Sequence, residues 1–125
     1  MSSLSLVFHR LASLPYFYSL AGKLLPWAAG LSIVLFVVGL YTGLALAPTD
    51  YEQGDSYRII YVHVPAAWMS MFVYVVLAIA GAIALVWRLK LAEVVARASA
   101  PIGASYTFLA LATGSIWGKP MWGTW

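Results

Sequence analysis

Three stretches of this 125-residue sequence, 24–49, 59–87 and 98–118, contain no aspartate, glutamate, lysine or arginine. Each exceeds the roughly 20 residues that a helix, rising about 1.5 Å per residue, needs to cross a hydrocarbon core of about 30 Å. A chain with three such runs cannot hide them in a small soluble core. The composition agrees, with 63% hydrophobic and only 9% charged residues, far from the usual soluble balance. The expectation is an all-α membrane protein, a single membrane domain over 1–125.

Prolines and polar residues place the boundaries. Pro26 suits a helix start and Pro48 a stop, giving a first span of about 26–47. The second run is longer than a span requires, and Pro65 marks the start of the helix proper at about 65–87, with 59–64 as an extended approach in the headgroup region. The third span is about 98–116. Ahead of them, Leu4, Val7, Phe8, Leu11 and Leu14 recur at helical spacing up to Pro15, which predicts a short interfacial amphipathic helix. The Ala45-Leu46-Ala47 stretch has the form of a signal-peptidase site, but its apolar run is too long and Pro48 follows it, so no cleaved leader is expected.

Gly39 and Gly43, and Ala110 and Gly114, form two small-x-x-x-small pairs that let another helix approach. Thr107 and Thr113 are placed to bond back to their own helix.

The net charge of +3 is a topology signal rather than a nucleic-acid footprint, because the basic residues are scattered at the ends of apolar segments. Arg10, Lys23, Arg88, Lys90 and Arg97 put the amino terminus and the second loop in the cytoplasm by the positive-inside rule, and the acidic loop 49–58 and the carboxyl terminus on the other side. There is no cysteine, which removes thiolate sites, disulfides and cysteine nucleophiles. No paired carboxylates, phosphate-cradling glycine loop or Ser/His/Asp set is placed for catalysis, so an enzyme is not expected. Asp50, Glu52 and Asp55, with Gln53 and Gly54 among them, read as a solvated turn. His9 reads as a surface histidine.

His63 carries the most chemistry. It lies beside Tyr57, Tyr61 and Trp68 at the outer membrane depth, where a neutral imidazole is a ready ligand for haem iron. Arg58 and Lys119 flank the same surface and can pair with haem propionates. The alternative is an interfacial histidine bonded to a backbone carbonyl. The last nine residues, 117–125, hold Trp117, Trp122 and Trp125 on a backbone bent by Gly118, Pro120 and Gly123. They make either a lipid anchor or a flat apolar binding shelf.

The stretches 54–67, 100–104, 113–115 and 117–125 together resemble the cytochrome c maturation protein C family, also called haem exporter protein C, and the likeness covers nearly the whole chain. It implies a bacterial inner-membrane protein that holds haem b transiently at its periplasmic face and presents it to a periplasmic haem chaperone. It also implies work beside ATP-binding-cassette subunits and other cytochrome c maturation membrane proteins. By that resemblance His63 is an axial haem ligand, and Trp117, Trp122 and Trp125 are platform residues. The family pattern continues past Trp125 to six spans and a second ligating histidine, so the chain is expected to be an amino-terminal half with its tryptophan motif truncated. Two other functions remain open: a haem-free scaffold subunit of an assembly complex, and a haem- or quinone-binding subunit of a membrane oxidoreductase.

Overall fold

The computed structural model describes residues 3–11 and 13–125. It is helical and, among the described residues, has no strand beyond an isolated bridge between Asp50 and Gly54. Helix α1 spans Ser3–Leu11, α2 Leu14–Tyr41, α3 Ile60–Trp87 and α4 Lys90–Trp122. A π-helical turn at Thr42–Leu46 prolongs α2, and a 3-10 turn at Asp55–Ile59 leads into α3. Leu14–Leu46, Asp55–Trp87 and Lys90–Trp122 are each 33 residues of continuous helix, long and apolar enough to cross a membrane. At about 1.5 Å per residue each reaches roughly 50 Å, so both ends stand in the headgroup layers.

The three expected spans and the short amphipathic helix before them are therefore present, but with longer spans. Pro26, Pro65, Pro101 and Pro120 all lie inside helices. Residues 59–64, expected to be extended, are helical, and the first span starts at Leu14 rather than near 26. The physical reason is the solvent. A backbone leaving the helix at membrane depth abandons a run of hydrogen bonds, whereas an internal proline forfeits about one. The break between α1 and α2 does fall at the expected place, with Pro15 in the first turn of α2.

Helices α3 and α4 form the body of the molecule, packed along a shared seam. The buried residues of α3 are Ala66, Val73 and Ala80, one every seven residues, the repeat of a helix pair meeting along a narrow stripe. Small residues opposite admit the larger ones. A β-carbon on Gly103 of α4 would come within 2.9 Å of Val73 Cγ1. Most other large apolar side chains face outward, among them Leu31, Val34 and Phe36 of α2 and Phe72, Leu85 and Phe108 of α3 and α4, as expected where lipid is the solvent.

Helix α2 meets α3 near its carboxyl-terminal end. There Gly43, buried in the π turn, lies under Tyr61: a β-carbon on it would sit 2.7 Å from Tyr61 Cγ. Of the expected Gly39/Gly43 pair only Gly43 makes a close approach, since nothing lies within 4 Å of a β-carbon on Gly39. Thr42 satisfies carbonyls at the start of the turn, its hydroxyl donating to Val38 O at 2.8 Å. Arg58 reaches over from the 3-10 turn to donate to the Leu44 carbonyl.

Candidate functional site

The end of the bundle that carries the acidic loop gathers His63 near the start of α3, Trp117 and Trp122 in the last turns of α4, and Gln53 from the loop. Helix α4 brings up its part with one stripe: Ala110, Thr113, Gly114 and Trp117 follow at steps of three, one and three, the spacing of a single helix face. That stripe is narrow enough at Gly114 for the His63 imidazole to lie against it, a β-carbon there falling 2.9 Å from His63 Cε1.

His63 Nδ1 is 3.1 Å from the Ala110 carbonyl oxygen and 3.1 Å from the Thr113 hydroxyl. Thr113 itself donates to Leu109 O at 2.7 Å, and Thr107 donates to Gly103 O at 2.9 Å, the back-bonding expected of both. No hydrogen-bond partner engages His63 Nε2 among the described residues, and that atom is not sealed off. The bond to a carbonyl was the alternative to a ligand role; with two ring nitrogens the two roles are compatible, one nitrogen serving each.

Trp117 packs edge-on to His63, ring centroids 5.8 Å apart at 62°. Its indole N–H donates to Gln53 Oε1 at 3.1 Å, and its ring meets Trp122 at 6.1 Å and 53°. Gln53 is held in place by an Asx turn, in which Asp50 Oδ1 accepts from the main-chain N–H of Glu52 at 2.9 Å and of Gln53 at 2.8 Å. The loop is thus a turn, as expected, and also the support of an aromatic side chain, which was not. Only the loop's contact with α4 reveals that role, since a glutamine among acidic residues looks like any solvated loop residue.

The tail is less bent than its glycines and proline suggest. Helix α4 runs through Pro120 to Trp122, with Gly118 buried inside it, and the chain turns at Gly123, whose φ is 74° and whose N–H caps Lys119 O at 3.0 Å. A left-handed residue after the last turn is where glycine is favoured. Trp117 is half-buried, while Trp122 and Trp125 are 71% and 77% exposed. With rings inclined by 53°, the tryptophans make a stepped rather than a flat surface.

The two cationic residues do not stand side by side over His63. Lys119 Nζ lies 4.8 Å from the centroid of the Trp125 ring, a cation–π contact. Arg58 turns the other way, bonding Leu44 O and lying with Nε 3.3 Å from Asp55 Oδ1. That approach is too poorly aligned for a hydrogen bond, so it is an ion pair by charge alone. Lys119 therefore borders the tryptophan surface, and Arg58 chiefly ties α2 to α3.

A cavity away from this site faces the other end of the bundle. About 880 Å³ opens between α1, α3 and α4 at the opposite end, beside His9, Ile79, Ala80, Trp87 and Val95. A smaller one, about 420 Å³, sits between α2 and α3 beside Phe36, Gly39 and Tyr61. His63 lines neither of these two. Among the described residues no cluster of three or more potential metal-binding side chains exists.

The family described as heme exporter protein C matches residues 7–125. The chain belongs to that family. It is 55% identical over 117 residues to heme exporter protein C of Escherichia coli strain K12, covering 94% of this chain and 48% of that protein. The Haemophilus influenzae protein of the same name is 58% identical over 108 residues, 86% of this chain and 44% of the relative. That of Bradyrhizobium diazoefficiens is 54% identical over 114 residues, 91% and 43%. The chain thus spans about half the length of the curated relatives it matches. The matched range, 7–125, includes Gln53, His63, Thr113, Trp117 and Trp122.

Proposed function

We propose that this chain takes part in haem handling for cytochrome c maturation, holding haem at one membrane face with His63 as an axial ligand. The observation that carries the reading is the division of labour on the imidazole: Nδ1 is bonded to α4, Nε2 has no hydrogen-bond partner among the described residues, and Trp117 packs edge-on to the ring. Metal-bound histidines characteristically bond their second nitrogen to a carbonyl, hydroxyl or carboxylate, which orients the ring. The donor set therefore fits haem iron. Trp122 and Trp125 offer apolar faces for a flat macrocycle, and Lys119, close by, supplies a cation for a propionate.

Haem is cargo in this reading, with no chemistry done on the porphyrin, and the open placement of the site suits release. The chain's second histidine, His9, lies near the large cavity at the far end, so His63 is the one histidine at this end. The distribution of basic residues and the family likeness support a bacterial inner-membrane location with the amino terminus in the cytoplasm and the His63 end in the periplasm. They also support a periplasmic haem chaperone as the receiver and ATP-binding-cassette subunits as partners in the same complex.

The test is a haem titration of the chain in lipid nanodiscs, followed through the Soret band. His63→Ala is expected to remove the histidine-ligated spectrum and lower affinity at least tenfold, since ligand and packing surface are lost together. An unchanged spectrum would remove His63 from the site, and no Soret shift with the unaltered chain would favour a haem-free scaffold.

A further inference from the structure

We propose that Thr113 is a positioning residue which, with the Ala110 carbonyl, holds the His63 imidazole in the tautomer protonated at Nδ1, so that Nε2 alone can take a metal. The proposal rests on the reading of His63 as a haem ligand and names what prepares it. A carbonyl oxygen can only accept, and the one of Ala110 faces Nδ1 at 3.1 Å. A proton on Nε2 instead would turn the Nδ1 lone pair against that oxygen, an unpaired acceptor contact in a place where water does not compensate.

Thr113 closes the alternative. A threonine hydroxyl has one hydrogen, and here Leu109 O accepts it at 2.7 Å. With that bond made, Thr113 presents a lone pair to Nδ1 at 3.1 Å, and beside the Ala110 carbonyl the favoured arrangement is Nδ1 donating between two acceptors. Gly114 completes the fixture by letting the ring lie flush enough for both bonds. Such outer contacts make the ligating nitrogen more basic and remove ring rotation before binding, and losing one typically weakens metal affinity about tenfold to a hundredfold.

The proton's position can be read without haem. The chain contains two histidines, so in a His9→Gln background ¹⁵N-histidine labelling reports His63 alone, and two-bond proton–nitrogen correlation spectra in nanodiscs distinguish the tautomers. The unaltered site and Thr113→Ser, which keeps the hydroxyl, should show the Nδ1-protonated form and haem affinities within about twofold of each other. Thr113→Val leaves the Ala110 carbonyl facing Nδ1 and should therefore keep the Nδ1-protonated form, while the loss of the second acceptor loosens the ring and weakens haem binding roughly tenfold. A Nε2-protonated His63 in the unaltered site would overturn the proposal without recourse to any variant. So would a Thr113→Val chain with unchanged haem affinity. If His63→Ala abolishes haem binding while Thr113→Val changes nothing, only the positioning role falls; if His63→Ala binds haem normally, the ligand reading falls first.

Discussion

Gly114 and His63 occupy each other's space: with a β-carbon on Gly114, the distance to His63 Cε1 would be 2.9 Å and to Nδ1 3.4 Å. The imidazole reaches the Ala110 carbonyl only because residue 114 has no side chain. Gly114→Ala should push the ring away, break both Nδ1 bonds and destabilise the α3–α4 pair by about 1–3 kcal/mol, the usual cost of overpacking. Unfolding in denaturant-titrated micelles measures that loss, and haem titration should show at least the defect of Thr113→Val.

The same logic at the other junction predicts a coupled pair. Gly43→Ala places a β-carbon 2.7 Å from Tyr61 Cγ, where α2 touches α3, and should cost about 1–3 kcal/mol. Adding Tyr61→Gly removes both the ring carbon and the β-carbon that the new methyl group meets, so the double variant should be less destabilised than the sum of the two single ones. Gly39→Ala, with nothing within 4 Å of its new methyl group, is the neutral control. A strictly additive double variant would refute the packing described.

Gln53→Leu is expected to leave the Trp117 indole N–H, now bonded at 3.1 Å, without its acceptor. The net worth of such a bond is about 1 kcal/mol. The sharper readout is hydrogen exchange at the Trp117 indole, which should accelerate while exchange at Trp27, far along α2, stays as it was.

Arg88 ends α3 with φ 53° and ψ 33°, a left-handed backbone on a residue with a β-carbon. That conformation costs a side-chain-bearing residue about 1–2 kcal/mol, and glycine escapes it. Arg88→Gly should therefore raise the unfolding midpoint in micelles, with a gain of about 1 kcal/mol. A fall would mean that the charge of Arg88 outweighs its backbone strain.

The spans, their number and their order could be read from three uncharged runs because lipid leaves the backbone few alternatives. Their ends could not. Pro26, Pro65 and Pro120 look like boundaries under rules drawn from water, where a freed carbonyl finds a partner, and the helices pass through all three. At the site, His63 and the tryptophans stand out by residue type, and the α4 helix period does align Ala110, Thr113, Gly114 and Trp117. What no local pattern contains is the register between α3 and α4, which decides that His63 meets Gly114, and the fold of the loop, which delivers Gln53 to Trp117. Arg58 shows the reverse: its charge and position suggested a propionate partner, and its nearest acceptors are Leu44 O and Asp55.

Because α4 continues unbroken to Trp122, the acceptors for His63 Nδ1, the indole against its ring and the last exposed tryptophan of the helix are all mounted on one rod, while the imidazole is mounted on another. A slide of one rod past the other by a single residue's rise, about 1.5 Å, is enough to strip the Nδ1 bonds and withdraw Trp117 in one movement. Grip and surrender would then be a single mechanical event. Any protein that takes hold of the last turn of α4 at Trp122 has a lever on the His63 imidazole without touching it.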